Sequence, residues 1–540
     1  MRKHFITLVA VLLGMALNAQ VSVWDGTTMP WTHGSGTQED PYLIENAQNM
    51  AYLAQQVNAP DTYNPYGHDV FTDVYFRLTT DLDLGGANSY LWTPVGRTTP
   101  RFSTWFCGHF DGDGHKIQNM LIDYTESTTS YGLFGNARYG SITDILLAAN
   151  CKVDLRFGNQ YEAIFVGGVL GCGINICLEN CANRGLVKSH GGELNWGLYC
   201  GGLFGQVDSG TITNCHNRGD VYSREWDDFG SHAPAGIVAQ AIDCTIVGCS
   251  NSGNITCVKF YYGMHAGGVS SGGIVGNANG TTSVEQCYNT GKLITTETDA
   301  SNMSLSSGGI VGISGGSVTL SIKNCYNVAD VSVIKIPENK EDYAGGIIGG
   351  THIDYNDSPN ITIDNCYAVG AIEADTVGGI IAKFGVMPAY KGLVVSNSYY
   401  VNSIVSNNDY GTALTDDYMK SEDFVNALNV DGIVIAMDLN NENNGYPVFA
   451  DRDPLGVEEN IVSGEISVFP NPAQSIINIK AENIVHISVY NILGNKLFES
   501  AANGDSFEYD FSALDAGIYF IKVKTTGKEF VEKIVMGTCF

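Results

Sequence analysis

Residues 178–187 read LENCANRGLV. The same line returns as ITNCHNRGDV at 212–221, IVGCSNSGNI at 246–255, VEQCYNTGKL at 284–293, IKNCYNVADV at 322–331 and IDNCYAVGAI at 363–372. Its cysteines, Cys181, Cys215, Cys249, Cys287, Cys325 and Cys366, stand 34, 34, 38, 38 and 41 residues apart. A repeat of that length is one supersecondary unit that cannot bury its apolar side alone, so successive units must stack into a rod. A second line runs out of phase with the first: GLFG at Gly132 and Gly202, GVLG at Gly168, GIVA at Gly236, GIVG at Gly273 and Gly309, GIIG at Gly346 and GIIA at Gly379.

Within each unit three short strands are expected, of the GGLFG, TITNC and GDVYS types, separated by Asn, Gly and Asp turns. Three parallel strands per coil predict a right-handed parallel β-helix. Equivalent residues of successive coils then stack about 4.8 Å apart with parallel side chains, a geometry that suits burial better than disulfide formation. The six cysteines therefore read as an interior ladder of small apolar side chains. Flanking patterns extend the column to Met120, Ile145 and Ser398, giving nine or ten coils and a rod of roughly 45 Å. Pairing of Cys172 with Cys177, or of Cys244 with Cys257, stays open.

The ends of the rod need covers. Residues 20–106 read as an N-terminal cap with first strands: Asn46 is an N-cap, and Met50, Leu53, Ala54 and Val57 recur at helical spacing. The solenoid spans 107–405. A C-terminal cap at 406–451 carries a helix begun by Thr415, with Tyr418, Phe424, Ala427 and Leu428 on one face. Residues 452–462 read as a linker. Residues 463–540 alternate apolar and polar positions with turns every eight to twelve residues, which predicts an antiparallel β-sandwich. The fold class is all-β.

Arg2 and Lys3, the apolar run from Phe5 to Leu17 and Ala19 predict a secretory signal peptide over 1–19. No later apolar run reaches the length of a membrane-spanning helix. The formal net charge is −29, and without Arg2 and Lys3 it is −31, from 26 basic and 57 acidic residues. Such a surface repels phosphate backbones, so nucleic acid is not an expected partner.

Two resemblances follow from motifs. The glycine lines, the CYN-type turns and the blocks DPYLI, YFRLTTDLDL and FDGDGH resemble the Gly-Leu-any-Gly (GLUG) repeat proteins, exported proteins common in Bacteroidota. The end of the chain resembles the type IX secretion system sorting domain. The match lies in VFPNP with Pro470, Asn471 and Pro472, VYNILG ending at Gly494, LDAGIY with Gly517 and Tyr519, and KIVM beginning at Lys533. The resemblance implies type IX secretion machinery as a partner and a secreted or surface-attached product.

Chemistry is sparse. Two G-x-S-x-G matches place Ser270 and Ser314, but no helix pattern follows either, as a nucleophile elbow requires. His109 and His115 have no evident third ligand. Asp111 and Asp113 in FDGDGH fit a tight turn, with a calcium loop as the alternative; no other cofactor is expected. Trp196, Trp226, Tyr261 and Tyr262 fall in loops of successive coils, with Glu225 and Asp227 beside them. Such an aromatic and acidic edge suits sugar rings or partner side chains, or packs on its own coils. Three functional readings remain at this level. An adhesin-like surface protein binding glycan or host protein is the first. A β-helix polysaccharide lyase or glycoside hydrolase needs a carboxylate pair with an adjacent Arg. A structural spacer or surface-layer component needs neither.

Overall fold

At the start of every repeat the backbone must turn a corner. The residue before each ladder cysteine turns it with positive φ: Asn180, Asn214, Gly248, Gln286, Asn324 and Asn365 all lie between 50° and 67°, as do Asp144 at 56° and Asn397 at 43° in the flanking coils. Asn and Gly tolerate this left-handed conformation, which is why they hold the position. The computed structural model describes residues 21–59, 68–86, 90–99, 102–123, 128–157, 162–191, 197–226, 231–260, 268–298, 305–335, 342–352, 359–383, 392–404, 406, 410–429, 434–450, 466–469, 476–491, 496–510, 514, 517–525 and 529–536. The signal peptide and linker expected from the sequence lie outside them.

One coil passes through five strand segments, not three. In the coil of Cys215 they are Thr211–Thr213, His216–Asn217, Val221–Trp226, Ser231–Ala235 and Val238–Ile242. Stacked coil on coil, these form five parallel sheets, here numbered I to V in that order. Among the described residues sheets I, II and V hold eleven strands each, one of those in V, Arg97–Thr98, pairing antiparallel with Ser103–Phe106, and III and IV hold eight. The glycine line is a corner instead of a strand: Gly201 ends sheet IV, Phe204 begins sheet V, and Gly202 and Leu203 turn between them.

The corner explains the cysteines. A bend in left-handed conformation aims the following N–H away from the ladder, and a buried N–H needs an acceptor. Cys215 donates its N–H to Cys249 Sγ at 3.5 Å, Cys249 to Cys287 Sγ at 3.4 Å and Cys287 to Cys325 Sγ at 3.5 Å. Each ladder thiol in turn donates to the carbonyl two residues before it, at 3.2–3.4 Å. Ser398 ends the column with the same two bonds, accepting from Cys366 N at 3.3 Å and donating to Ser396 O at 2.8 Å. Burial pushes the Cys215, Cys287 and Cys325 thiols well above their usual range, so they stay protonated. Cys287→Ser is therefore expected to cost at most ~1 kcal/mol, whereas Cys287→Val strands the Cys249 N–H and costs about 1–3 kcal/mol. Urea midpoints of the two variants check this; equal losses would mean that the thiol acts only as an apolar filler.

Register places Ile145 opposite Cys181, since Leu146 pairs with Ala182. Met120 departs from the expected column. Leu121 pairs with Lys152, so Met120 stands opposite Cys151, one corner further along the coil. The turn Gly112–His115 lengthens that coil and shifts its alignment. None of the thirteen described cysteines forms a disulfide. Cys172 packs with Trp105 and Cys107 while Cys177 is exposed, and the Cys244 thiol donates to Val207 O and Ile242 O.

Two residues past each cysteine a second ladder fills the interior. Asn183 donates to Asn217 Oδ1 at 3.1 Å, and Asn217, Asn251 and Asn289 each pass a bond on to the next at 2.8 Å, ending at Asn327. Across the coil the first glycines of five of the glycine lines, Gly168, Gly202, Gly236, Gly273 and Gly309, lie against these amides. A Cβ on Gly202 would sit 2.4 Å from Asn217 Cγ and 2.3 Å from the Gly236 carbonyl oxygen. The two sequence lines are thus two sides of one contact.

At the first coils, helix α1 (Ala47–Val57) is capped by Asn46 and buries Met50, Leu53, Ala54 and Val57. At the other end two short helices replace the single one expected: α2 (Asp416–Met419) from Thr415 and α3 (Glu422–Leu428) from Ser421. The break leaves Tyr418 exposed and buries Met419 and Val425. Tyr288, Tyr326 and Tyr367 stack at 5.0 Å on sheet II, Phe449 lies against Tyr326 at 5.1 Å, and Phe424 lies against Tyr367 at 5.8 Å. The cap therefore docks on the flank of the last coils.

Contacts divide the chain into Met1–Asp451 and Arg452–Phe540. The second unit is a five-stranded antiparallel arrangement built on the long strands Ile476–Asn491 and Lys496–Asp510. The first half of Ile476–Asn491 pairs with Ile466–Phe469 and the second half with Gly517–Thr525, with bulges between. Ile477, Ile479, Ile487, Val489, Ile521 and Val523 form its core.

Candidate functional site

Of the residues singled out in the sequence, Trp196, Asp227, Tyr261 and Tyr262 lie outside the described residues. Glu225 and Trp226 lie on the sheet III strand Val221–Trp226, in register with Lys259 and Phe260 of the next coil. Asp111 accepts from Arg77 Nε at 2.9 Å and from the Asp113 N–H at 2.8 Å, and Asp113 has φ 50°. Among the described residues no group of three or more His, Cys, Asp and Glu side chains is placed to hold a metal ion. Ser270 and Ser314 are buried on strands Val269–Gly272 and Val311–Gly315. His109 stacks on Tyr75 at 4.3 Å, and His115 lies 3.4 Å from Asp81. In the sorting unit Gly517 opens a strand, Tyr519 is in the core and Lys533 is opposite Phe520. Pro470, Asn471, Pro472 and Gly494 lie outside the described residues.

Sheet III assembles a group that no single stretch of sequence contains. Strands Lys152–Arg156, Leu186–His190 and Val221–Trp226 are consecutive, with Asp154, Lys188 and Tyr222 in one column and Arg156, His190 and Arg224 in the next. Alternation turns Val153, Leu155, Val187 and Ser189 inward and leaves these two columns outward. Lys188 Nζ is 5.3 Å from the Tyr222 ring centre, the His190 ring 5.5 Å from it, and Arg224 Cζ lies 4.2 Å over the Phe260 ring. Partial burial, then the cations Lys188 and Arg156, hold the His190 imidazole below its usual range, so it is neutral at pH 7. Burial opposes ionisation of Asp154, but the Lys152 ammonium at 2.7 Å outweighs it and the carboxyl sits below its usual range. Of sheet III the sequence reading singled out only Glu225 and Trp226, on the strand Val221–Trp226. Position counts from the ladder would have found the rest, since His190 and Arg224 each stand nine residues after Cys181 and Cys215.

A second polar group is sealed inside. Ser223 Oγ lies 2.6 Å from His232 Nε2, Cys257 Sγ lies 3.4 Å from His232 Nδ1, and Ser189 Oγ is 3.0 Å from Ser223 Oγ. Nucleophile–base spacing is present, yet Ser223, His232 and Cys257 are each 0% exposed. Burial, then the Lys259 ammonium, hold His232 well below its usual range. Its role visible here is to satisfy polar groups within the core.

Residues 467–537 match the family described as "Secretion system C-terminal sorting domain". The chain carries that domain, and with it is secreted or attached at the cell surface. Among the described residues no helix is long and apolar enough to cross a membrane. Curated relatives match short portions. The chain is 37% identical over 75 residues (13% of this chain, 14% of the relative) to a protein named endo-acting ulvan lyase from Formosa agariphila. It is 32% identical over 114 residues (21% of this chain, 12% of the relative) to a putative Gly-rich membrane protein of Evansella cellulosilytica. It is 31% identical over 144 residues (24% of this chain, 1% of the relative) to halomucin of Haloquadratum walsbyi. The chain thus spans a small fraction of the relatives it matches. No solved structure matches it.

Proposed function

We propose that this protein is a non-enzymatic, adhesin-like binding protein that presents a rigid solenoid outside the cell and takes glycan or protein ligands on its loops and outward faces. The observation that carries the reading is the division of its polar side chains. The Ser223–His232–Cys257 group with nucleophile–base spacing is fully buried, while Arg156, Lys188, Tyr222 and Arg224 of sheet III face outward. A stacked rod also tolerates variation in its loops without loss of the coil, which suits recognition.

The full chain is expected to retain at least one class of ligand on an array of glycans and matrix proteins. Trp196→Ala with Trp226→Ala is expected to weaken that binding by roughly tenfold, the scale of a lost aromatic anchor. Retention of nothing by the folded chain overturns the reading in favour of a spacer. The rival, a β-helix polysaccharide lyase or hydrolase, draws on the name of the Formosa relative. It predicts new chain ends when acidic polysaccharides are incubated with the protein.

A further inference from the structure

We infer that the furrow where the outward faces of sheets IV and V meet binds an uncharged polysaccharide lying along the solenoid axis, held by the side-chain amides of Gln206, Gln240 and Asn277. This rests on the binding-protein reading and adds to it a site and a ligand class. At the glycine line the chain turns so sharply that the outer faces of the two sheets close on one another. Tyr199 and Ala233 of sheet IV cluster with Ala239 of sheet V, and Phe165 of sheet IV packs against the cluster that holds Cys172 of sheet V. A Cβ on Gly205 of sheet V would lie 2.6 Å from Val166 N of sheet IV. These contacts lie outside the core that fills the coils, so they line a furrow on the outer surface.

Gln206, Gln240 and Asn277 stand directly opposite one another on successive strands of sheet V, between Cys172 and Ile313. All three are half-buried. Inside the solenoid, amides at the same coil spacing bond to one another, Asn217 to Asn251 and Asn251 to Asn289 at 2.8 Å each. The outer column does not: among the described residues none of its three amides has a hydrogen-bond partner, and Asn277 Oδ1 is sealed from solvent yet accepts nothing. A sealed acceptor without a donor costs stability, and a bound hydroxyl would supply one. Each amide offers two donors and an acceptor, which matches sugar hydroxyls that both donate and accept. The half-buried Phe165 ring, stacked on Tyr199 at 5.4 Å, gives the apolar wall on which the C–H face of a sugar lies. The column from Cys172 to Ile313 carries no charge, and a net charge of −29 disfavours every polyanion, uronate and sulfate as much as phosphate. An extended peptide repeats its like-facing groups every two residues, about 6.7 Å, out of step with coils about 4.8 Å apart. A sugar ring carries hydroxyls on several sides and meets an amide at each coil.

The test is native affinity electrophoresis of the full chain through gels holding hydroxyethyl cellulose, galactomannan, laminarin or polygalacturonate, at low and physiological salt. Retardation by at least one of the three neutral polymers is expected, unchanged by salt because no charge is paired, with none by polygalacturonate. Q206A with Q240A is expected to weaken it by about tenfold, the scale of two lost hydrogen bonds. The thermal midpoint of that variant should equal the parent's, because neither amide bonds to the protein; this separates lost binding from lost fold. Retardation unchanged in Q206A/Q240A, or polygalacturonate as effective as the neutral polymers, overturns the inference. A lowered midpoint accompanying the loss assigns the amides to the fold and overturns it too. If no neutral polymer retards the chain while a protein or an acidic glycan is still retained on the array, the inference falls and the general binding role stands. If nothing is retained in either assay, both fall.

Discussion

Gly273→Ala is expected to destabilise the solenoid by about 3–5 kcal/mol, a large loss for one methyl group. A Cβ there would lie 2.0 Å from the Gly309 carbonyl oxygen and 2.6 Å from Asn289 Cγ. Neither neighbour can retreat. Gly309 is the same corner of the next coil, and Asn289 is bonded on both sides, accepting from Asn251 and donating to Asn327 at 2.8 Å each and to Gly291 O at 2.9 Å. Asn289→Leu, similar in volume, is expected to cost about 2–4 kcal/mol by removing those bonds from a dry interior. Each coil touches its neighbours along the rod, so damage at one coil uncouples the coils on either side. All six tryptophans, at 24, 31, 92, 105, 196 and 226, precede Gly273. Tryptophan fluorescence therefore follows the earlier coils, and far-ultraviolet dichroism follows the whole chain. In Gly273→Ala the dichroism transition should begin at lower urea than the fluorescence transition. Coincident transitions at the parent midpoint would show that the glycine–asparagine contact is not what joins the coils.

The stacking of coils was legible because it repeats in one dimension: Cys-x-Asn and Gly-x-x-Gly recur in the sequence itself. What those lines do in contact was not, because Gly202 and Asn217 are fifteen residues apart and meet across the coil interior. Sheet II escaped notice because two-residue strands such as His216–Asn217 are too short to show alternation. Sheet IV was merged with the glycine line, although Gly202 and Leu203 form the bend between two sheets. The helix at 416–428 divides at Lys420 and Ser421, where Ser421 caps the second piece through Phe424 N. A single helical face cannot anticipate that. The cationic face of sheet III is set by register alone. Arg156, His190 and Arg224 lie on strands that read KVDLR, LVKSH and VYSREW, whose charges share no local motif. Trp226 lies on the last of these strands, and pairing with Phe260 supplies a neighbour that sequence adjacency could not.

Acidification should weaken the solenoid from pH 6.5 downward, and His232 should account for the steepest single share. Its ring is fully buried beside Ser223 and Cys257, and burial with the nearby Lys259 charge holds its pKa well below the ordinary 6.5. Above pH 6.5 the imidazole is neutral in both folded and unfolded chains and contributes no pH dependence. Below it the unfolded chain takes up a proton that the native chain refuses, so stability falls by up to about 1.4 kcal/mol per pH unit until the native ring itself protonates. His109 and His190 are shifted in the same direction by partial burial and add smaller losses. His232→Gln keeps a hydrogen-bonding partner for Ser223 and cannot titrate. The difference between parent and variant stabilities, measured by urea unfolding through tryptophan fluorescence at pH 7.5, 6.5 and 5.5, therefore isolates the histidine. The parent should lose roughly 1 kcal/mol more than the variant between pH 6.5 and 5.5. Parallel losses would mean that the ring accepts its proton within the fold, either with Lys259 moved away or with water admitted to the core. In that case the Ser223–His232–Cys257 group is open enough for the rival reading as an enzyme to regain its footing.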